Sequence, residues 1–316
     1  ISGAGSPRRR ASFRSFNSDL DQRMEKRVTF KGWLLPLLLV FPQLLISVVF
    51  FFYPAGQAVW QSLFIPDPFG LSSQFVGLGN FEFLLSDRFY RASFVTTAIF
   101  STLVTLVSMV PALFLAVLAD RLVKSASVYR TLLIWPYAVA PAVAGVLWLF
   151  MFNTRVGVVA WYLGQLGYDW NHVLNPHEAM GLVVVASSWG RISYNFLFFF
   201  AALQSVPRSV IEAAAIDGAR FWRRFFTIVL PLISPTTFFL LVVNVVYAFF
   251  ETFGVIHTIT SGGPQQATTI LVYKVFSDGF VGQDLGSSAA QSVILLIVVG
   301  LLTILQFRFV ERRVHY

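Results

Sequence analysis

The stretch Glu212-Ala-Ala-Ala-Ile-Asp217-Gly218, followed after nine residues by Ile228-Val-Leu230-Pro231, decides how this sequence is interpreted. Pro207 suits the first turn of a helix, and Gly218 can adopt the positive φ that ends one. The helix between them would carry one small, apolar face, made by Val210, Ile211, Ala214 and Ala215. With a second helix beginning near Arg220, the stretch predicts a rigid helix–bend–helix element that could fit a cleft in a soluble partner.

Composition places this element in a membrane protein. Hydrophobic residues make up 56% and charged residues 12% of the 316 residues, and the mean hydropathy is +0.71. A soluble domain of this length could not hide so much apolar surface, so the surrounding solvent is lipid. The sequence contains no cysteine, which excludes disulfides and thiolate metal sites.

Six apolar runs are long enough to cross the roughly 30 Å of hydrocarbon in a bilayer, which takes about 20 helical residues. Aromatic residues such as Tyr53 and Tyr129 mark their ends, as interfacial anchors do. The sequence therefore predicts an all-α polytopic membrane protein with six transmembrane helices. The predicted spans lie near 33–53, 93–119, 129–152, 180–203, 228–252 and 289–309.

The lysines and arginines orient these spans. Residues 1–31 hold eight of the 23 and are predicted to form a disordered basic tail. If that tail is cytoplasmic, only Arg88, Arg91, Arg155 and Lys274 fall in loops on the opposite side. This asymmetry follows the positive-inside rule, so both termini and residues 205–231, the Glu-Ala-Ala loop, are predicted to be cytoplasmic. The net charge of +8 then signals topology and gives no reason to expect nucleic-acid binding.

Catalytic motifs are missing from the sequence. No glycine is followed directly by lysine, so there is no Walker A loop for ATP, and no Gly-x-Ser-x-Gly nucleophile motif occurs. The four histidines are scattered without metal-ligand spacing. The chain is therefore predicted not to be an enzyme and to bind neither a metal nor a cofactor of its own.

Arg191 is the candidate for solute chemistry, because it lies near the middle of the fourth predicted span. A charge at that depth is costly and usually faces a cavity or a partner, and a planar guanidinium suits two oxygens of a phosphate. Ser187, Tyr194 and Asn195 fall on overlapping helical faces and could add hydrogen bonds. The alternative is a structural arginine that pairs with another helix or extends its side chain toward the membrane surface.

The fifth predicted span carries Asn244, Tyr247 and Glu251 at helical spacing, and these residues are expected to line the same path. Glu251 would repel a phosphate, so a cation or a hydroxyl is the more plausible contact for its carboxylate. Because Glu251 lies near the external end of the span, it could instead simply be solvated.

The Glu-Ala-Ala loop resembles the loop that gives importer-type ABC permeases their signature, and every fixed position of that pattern is filled. The resemblance implies a coupling helix that docks on an ATPase subunit, with the coupling residues Glu212, Ala213, Ala214, Asp217 and Gly218. It also implies a permease domain over 32–316 in a bacterial plasma membrane, paired with a second, different permease chain. Two copies of an ATPase would supply the ATP and Mg²⁺ sites, and an extracytoplasmic binding protein would deliver solute for alternating access.

Two further stretches narrow this resemblance. Thr260-Ser-Gly-Gly-Pro264-Gln-Gln-Ala-Thr268 is similar to an external loop of carbohydrate-type permeases, the group of the maltose permease subunits. The stretches 203–209, 242–253 and 306–316 resemble the first membrane subunit of glycerol-3-phosphate importers, which implies uptake of glycerol-3-phosphate or glycerophosphodiesters such as glycerophosphocholine. The alternatives are a permease for a neutral sugar or oligosaccharide, a stand-alone secondary transporter, and an integral membrane enzyme.

Overall fold

The computed structural model describes residues 33–67, 72–121 and 131–310. The predicted basic tail over 1–31 and the last residues of the chain, 311–316, lie outside the described residues, as do Lys124 and Arg130, which contributed to the predicted topology. The described part is mainly helical, which confirms the predicted fold class.

The chain divides into two compact units, with the boundary between Gln57 and Ala58. The described residues begin with α1 (Leu34–Ser47), which continues through a π-helical turn, Val48–Phe52, into α2 (Tyr53–Gln61), and the unit boundary falls within α2. Together they make one apolar helix over Leu34–Gln61 that is long enough to cross a membrane. This helix corresponds to the first predicted span.

The second unit contains the remaining helices and one short hairpin. Its helices are α3 (Gly79–Ser86), α4 (Arg88–Arg121), α5 (Pro141–Met151), α6 (Val158–Gln165), α7 (Pro176–Ser205), α8 (Arg208–Ile216), α9 (Phe221–Arg224), α10 (Leu230–Leu232), α11 (Ser234–Phe250), α12 (Phe253–Ile259), α13 (Leu271–Phe276) and α14 (Leu285–Leu305). A 3₁₀ turn covers Trp135–Ala138, and π-helical turns cover Phe225–Val229, Ser277–Val281 and Gln306–Val310. The hairpin, which was not predicted, pairs β1 (Phe64–Pro66) with β2 (Ser73–Phe75) antiparallel.

Four helices of the described chain are long enough and apolar enough to be single membrane spans, and two bent pairs raise the number to six if each pair is one span. The third predicted span, 129–152, is bent by 106° between Thr131–Ala138 and α5. The fifth, 228–252, is bent by 69° between Phe221–Leu232 and α11. The six predicted runs thus coincide with these segments, and the structure adds that the third and fifth are bent helix pairs.

Proline explains both bends. Ala140 precedes Pro141 and is extended, with φ −60° and ψ 141°, because a proline ring disfavours helical backbone in the residue before it. At the other bend, α11 begins with Pro235 in its first turn, where the missing N–H costs no helical hydrogen bond. The residues at the bend before α5 line the cavity described below.

Helices α4 and α7 form the centre of the second unit. Ala112 and Ala116 of α4 are completely buried against Phe196 and Phe199 of α7, so small side chains on one helix accommodate large rings on the other. A second cluster joins Phe100 of α4 to α7 and α11 nearer the opposite ends of these helices. Without a hydrophobic drive between helices in lipid, such close packing is a main source of their association.

Candidate functional site

A cavity of about 320 Å³ lies where the bend before α5 faces α7 and α11. Its wall combines the turn over 136–141 with Ser187 and Arg191 from α7 and Tyr247 and Glu251 from α11 and its end. We call this space the Arg191 cavity. Three of the predicted substrate-path residues besides Arg191 therefore face it: Ser187, Tyr247 and Glu251.

Arg191 is held between two aromatic rings. Its guanidinium carbon lies 4.4 Å from the centroid of Tyr194 and 4.3 Å from that of Tyr247, and the residue is only 8% exposed. One Nη2–H donates to the carbonyl of Val243 at 3.4 Å, while Nε is buried without a hydrogen-bond partner among the described residues. Cation–π contacts with two rings stabilise the charge, and the hydrogen-bond donors of the guanidinium remain incompletely used.

The tyrosine on α11 is fixed by a bond to α7. The hydroxyl of Tyr247 donates to the carbonyl of Ser187 at 3.0 Å. Ser187 Oγ is itself buried and has no partner in the described part of the chain. The cavity wall thus contains two residues, Arg191 and Ser187, that each have a buried polar atom without a hydrogen-bond partner among the described residues.

Tyr194 and Asn195 have different surroundings although they are adjacent in sequence. Tyr194 stacks on Arg191 and packs on Tyr137 with their ring centroids 5.4 Å apart, so it supports the cavity wall. Asn195 is fully buried and exchanges hydrogen bonds with Asn244, at 2.7 and 3.2 Å, and neither residue lines the cavity.

Ser108 completes this buried amide pair, because its hydroxyl donates to Asn244 Oδ1 at 3.1 Å and so joins α4 to α7 and α11. The sequence interpretation missed this serine. A signal was available, since small polar side chains recur along one buried face of α4: Ser93, Thr97, Ser101, Thr105 and Ser108. The assignment of Asn195 and Asn244 to the solute path remains a prediction, and the structure shows them joining three helices.

The Glu-Ala-Ala loop has the predicted helix–bend–helix form. Helix α8 covers the Glu-Ala-Ala residues, and Gly218 then adopts φ +78°. The N–H of Gly218 donates to Ala215 and the N–H of Ala219 to Ala214, which closes the helix end. The next helix begins after Arg220, as predicted.

The surface of α8 is exposed. Glu212, Ala213, Asp217 and Gly218 are exposed and Ala214 is half-buried. Ile216, the last residue of α8, is 86% exposed. Val210 is exposed as well, so α8 presents two large apolar side chains at its surface.

Arg224 joins the Glu-Ala-Ala loop to the helices behind it. Its Nη1–H donates to the carbonyl of Ile211 in α8 at 3.4 Å, and its Nε is buried without a hydrogen-bond partner among the described residues. A second cavity, of about 220 Å³, lies between Arg224, Ile211 and Asp120 at the end of α4. The sequence analysis did not connect these residues.

The stretch 260–268 is a compact turn. The hydroxyls of Thr260 and Thr268 are 2.7 Å apart, and Thr268 Oγ1 lies 2.9 Å from the carbonyl of Gly263. Gly262 has φ +80°, and a Cβ there would lie 2.7 Å from the Tyr273 ring. Only glycine fits this position without a shift of its neighbours.

A buried carboxylate organises the loop before α7. Glu178 accepts hydrogen bonds from the Tyr168 hydroxyl and from the backbone of Asn171. The first of these bonds raises the pKa of Tyr168, and burial lowers the pKa of the neighbouring His172 although Glu178 opposes this shift. In the part of the chain that the structure describes, no group of histidines and carboxylates has the arrangement of a metal site.

Comparison with known proteins agrees with this geometry. Residues 83–316 match the family described as binding-protein-dependent transport system inner membrane component. The chain is 61% identical over 291 residues to the sn-glycerol-3-phosphate transport system permease protein UgpA of Rhizobium meliloti (strain 1021), covering 92% of this chain and 99% of that one. It is also 61% identical over 285 residues to the UgpA of Yersinia enterocolitica, covering 90% and 96%.

Solved structures share the fold at low sequence identity. A bacterial ABC transporter involved in the import of the acidic polysaccharide alginate matches with a TM-score of 0.76 and 19% identity, over 89% of this chain and 96% of that one. The alginate transporter in complex with a pentasaccharide-bound periplasmic protein also matches with a TM-score of 0.76, at 20% identity. These two matches show that the chain has the same overall fold as a membrane subunit of these transporters.

Proposed function

The chain belongs to the family of binding-protein-dependent transport system inner membrane components, and from this premise we propose that it imports sn-glycerol-3-phosphate or related glycerophosphodiesters. It acts as one membrane-spanning permease subunit of an ATP-driven importer. The relatives named as glycerol-3-phosphate permeases support this solute, since they match almost their whole length at about 60% identity.

The observation that carries the proposal is the state of Arg191. Its guanidinium lies in the middle of a membrane-spanning helix, on a cavity wall, with its charge stabilised by two rings and not by a carboxylate in contact. In the described residues the one ion pair within 4 Å is Lys274 with Asp278, so Arg191 has no such partner. A phosphate would supply the missing anion and accept the edge donors in a bidentate manner.

The Glu-Ala-Ala loop carries the second half of the mechanism. Helix α8 docks on an ATPase subunit, and Gly218 fixes the angle at which the next helix leaves it. Two ATPase copies bind ATP with Mg²⁺, a second permease chain completes the pathway, and an extracytoplasmic binding protein delivers the solute. With both termini in the cytoplasm of a bacterial cell, closure of the ATPase dimer moves α8 and turns the Arg191 cavity outward.

Uptake by the complete importer tests this proposal. Cells that lack their own glycerol-3-phosphate transporters would express this chain with its partner subunits, and uptake of labelled glycerol-3-phosphate would be measured. We expect excess glycerophosphocholine to compete and maltose to have no effect. A variant of the ATPase subunit that cannot hydrolyse ATP serves as the control and should abolish uptake.

Each alternative predicts a different result. Competition by maltose or another neutral sugar would favour the carbohydrate permease, and it would contradict the role given to Arg191. Uptake that persists without ATP hydrolysis and follows an ion gradient would favour a secondary transporter.

A further inference from the structure

The Arg191 cavity contains a second charged residue, Glu251, whose role the phosphate site does not explain. Glu251 follows Phe250 directly, at the end of α11 that is farther from the Glu-Ala-Ala loop, whereas Arg191 lies near the middle of α7. Both residues line the same cavity. The two opposite charges therefore face one ligand space from different depths.

Helix geometry sets the separation of these charges. Tyr247 and Glu251 are four residues apart, so they lie on one face of α11 at a rise of about 6 Å, which is close to one turn. The Arg191 guanidinium lies over the Tyr247 ring at 4.3 Å. Glu251 is therefore placed about one helical turn beyond the arginine, a distance that a three-carbon phosphate ester can span.

The Glu251 carboxylate is free to accept hydrogen bonds. Among the described residues no side chain or backbone N–H donates to it, and the residue is exposed at the cavity. An ionised carboxylate is an acceptor only, with room for two or more donors. It therefore attracts a group with O–H donors, and it repels a second anion.

We propose that Glu251 determines specificity by binding the hydroxyl-bearing end of the solute and rejecting phosphate esters whose far end is anionic. Building on the proposed function, which places the phosphate at Arg191, the free vicinal diol of the glycerol part then donates to the Glu251 carboxylate. Such hydrogen bonds to a charged acceptor are stronger than those between neutral groups. The cavity thus recognises both ends of the solute: Arg191 binds the phosphate and Glu251 binds the diol.

Three phosphate esters separate these contributions. sn-Glycerol-3-phosphate carries the full diol, 2-hydroxypropyl phosphate lacks the terminal hydroxyl, and 3-phosphoglycerate carries a carboxylate in its place. Their displacement of labelled glycerol-3-phosphate would be measured on the complete complex of permease and ATPase subunits in nanodiscs. The solute-binding protein is omitted, so that its own selectivity does not contribute.

The wild-type complex should bind glycerol-3-phosphate about tenfold more tightly than 2-hydroxypropyl phosphate, the difference expected for one hydrogen bond to a charged group. It should bind 3-phosphoglycerate more weakly still. In Glu251→Gln, which keeps the size of the side chain and removes its charge, both preferences should shrink by several-fold. Glu82→Gln is the matched control, because Glu82 is an exposed carboxylate in α3 that does not line the cavity.

The outcomes separate this specificity role from the proposed function. If Glu251→Gln keeps the wild-type preferences, or weakens the binding of all three esters equally, Glu251 does not recognise the diol and the inference is wrong. Arg191→Ala tests the phosphate site in the same assay. Wild-type affinity in Arg191→Ala, or no glycerol-3-phosphate binding by the wild-type complex, would overturn the proposed function itself. Loss of binding in Arg191→Ala with unchanged preferences in Glu251→Gln would overturn only the role of Glu251.

Discussion

The Glu-Ala-Ala loop and the Arg191 cavity differ in how their residues are brought together. The loop is one continuous segment, 205–231, and its key groups are exposed on a short helix that ends at Gly218. The cavity is assembled from a turn near Pro136, the middle of α7 and the end of α11. A site built from local backbone geometry can be predicted from the spacing of residues in the sequence. A site built by packing distant segments together can be located only when the fold is known.

This difference predicts where single substitutions act. A change in the loop should leave the packed helices intact and break the transmission of movement. A change in the cavity should alter either solute binding or helix packing, depending on which neighbours the side chain has. The following experiments test that division, beginning with the largest expected effect.

Gly218→Pro should abolish uptake while the subunit still inserts in the membrane. Gly218 has φ +78°, which proline cannot adopt, and its N–H donates to Ala215, a bond that proline cannot make. Uptake would be measured together with the amount of subunit in the membrane. Gly218→Asn is the control, because asparagine tolerates left-handed backbone and should keep much of the uptake. Full uptake by an assembled Gly218→Pro complex would contradict the coupling role.

Arg191→Ala should weaken binding of the phosphate ester by about 2–5 kcal/mol if the site is desolvated. Arg191→Lys should weaken this binding by a smaller amount. Lysine keeps the charge but replaces a bidentate fork by a point charge. Binding and the amount of subunit would be measured on the same membranes. If Arg191 instead has a structural role, Arg191→Ala should reduce the amount of subunit in the membrane. Unchanged binding at an unchanged amount of subunit would contradict both the phosphate-binding role and the structural role.

Asn195→Leu should destabilise the subunit by about 1–3 kcal/mol, because the buried amide of Asn244 loses both of its hydrogen bonds to Asn195. Uptake per assembled subunit should stay close to wild type, since neither amide lines the cavity. Thermal unfolding of the purified complex and uptake normalised to subunit amount measure the two effects. The double variant Asn195→Leu with Asn244→Leu should recover part of the stability. A change in solute affinity at normal stability would instead support the original assignment of both residues to the solute path.

Much of the Glu-Ala-Ala loop and part of the Arg191 cavity could be predicted from the sequence. The end of α8 at Gly218 depends on a local backbone preference, so spacing was sufficient. Arg191 was found because a charge in an apolar span is costly wherever the span packs. The positions of Asn195 and Ser108 depend on which faces of α4, α7 and α11 meet, and helical periodicity in one helix cannot determine that. The bends at Pro141 and Ile233 were signalled by proline but overlooked because hydropathy alone gave continuous runs.

Arg224→Gln should produce the smallest effect, since it removes one long hydrogen bond of a half-buried side chain, worth about 1 kcal/mol. Arg224 donates to the carbonyl of Ile211 and so connects α8 to the helix that follows the bend. We expect the complex to assemble and to hydrolyse ATP, but to transport less solute per ATP because α8 is held less firmly. The ratio of uptake to ATP hydrolysis in proteoliposomes measures this.

Arg223→Gln is the matched control for that experiment. Arg223 is the exposed neighbour of Arg224, and no hydrogen bond of its side chain is present in the described part of the chain. Its loss changes the charge at the membrane surface by the same amount without touching Ile211. If both variants lower the ratio equally, the effect comes from surface charge and the connection between Arg224 and α8 is not used. If only Arg224→Gln lowers the ratio of uptake to ATP hydrolysis, coupling depends on the contact between Arg224 and α8. The Glu-Ala-Ala loop would then, like the cavity, rely in part on packing and not only on local backbone geometry.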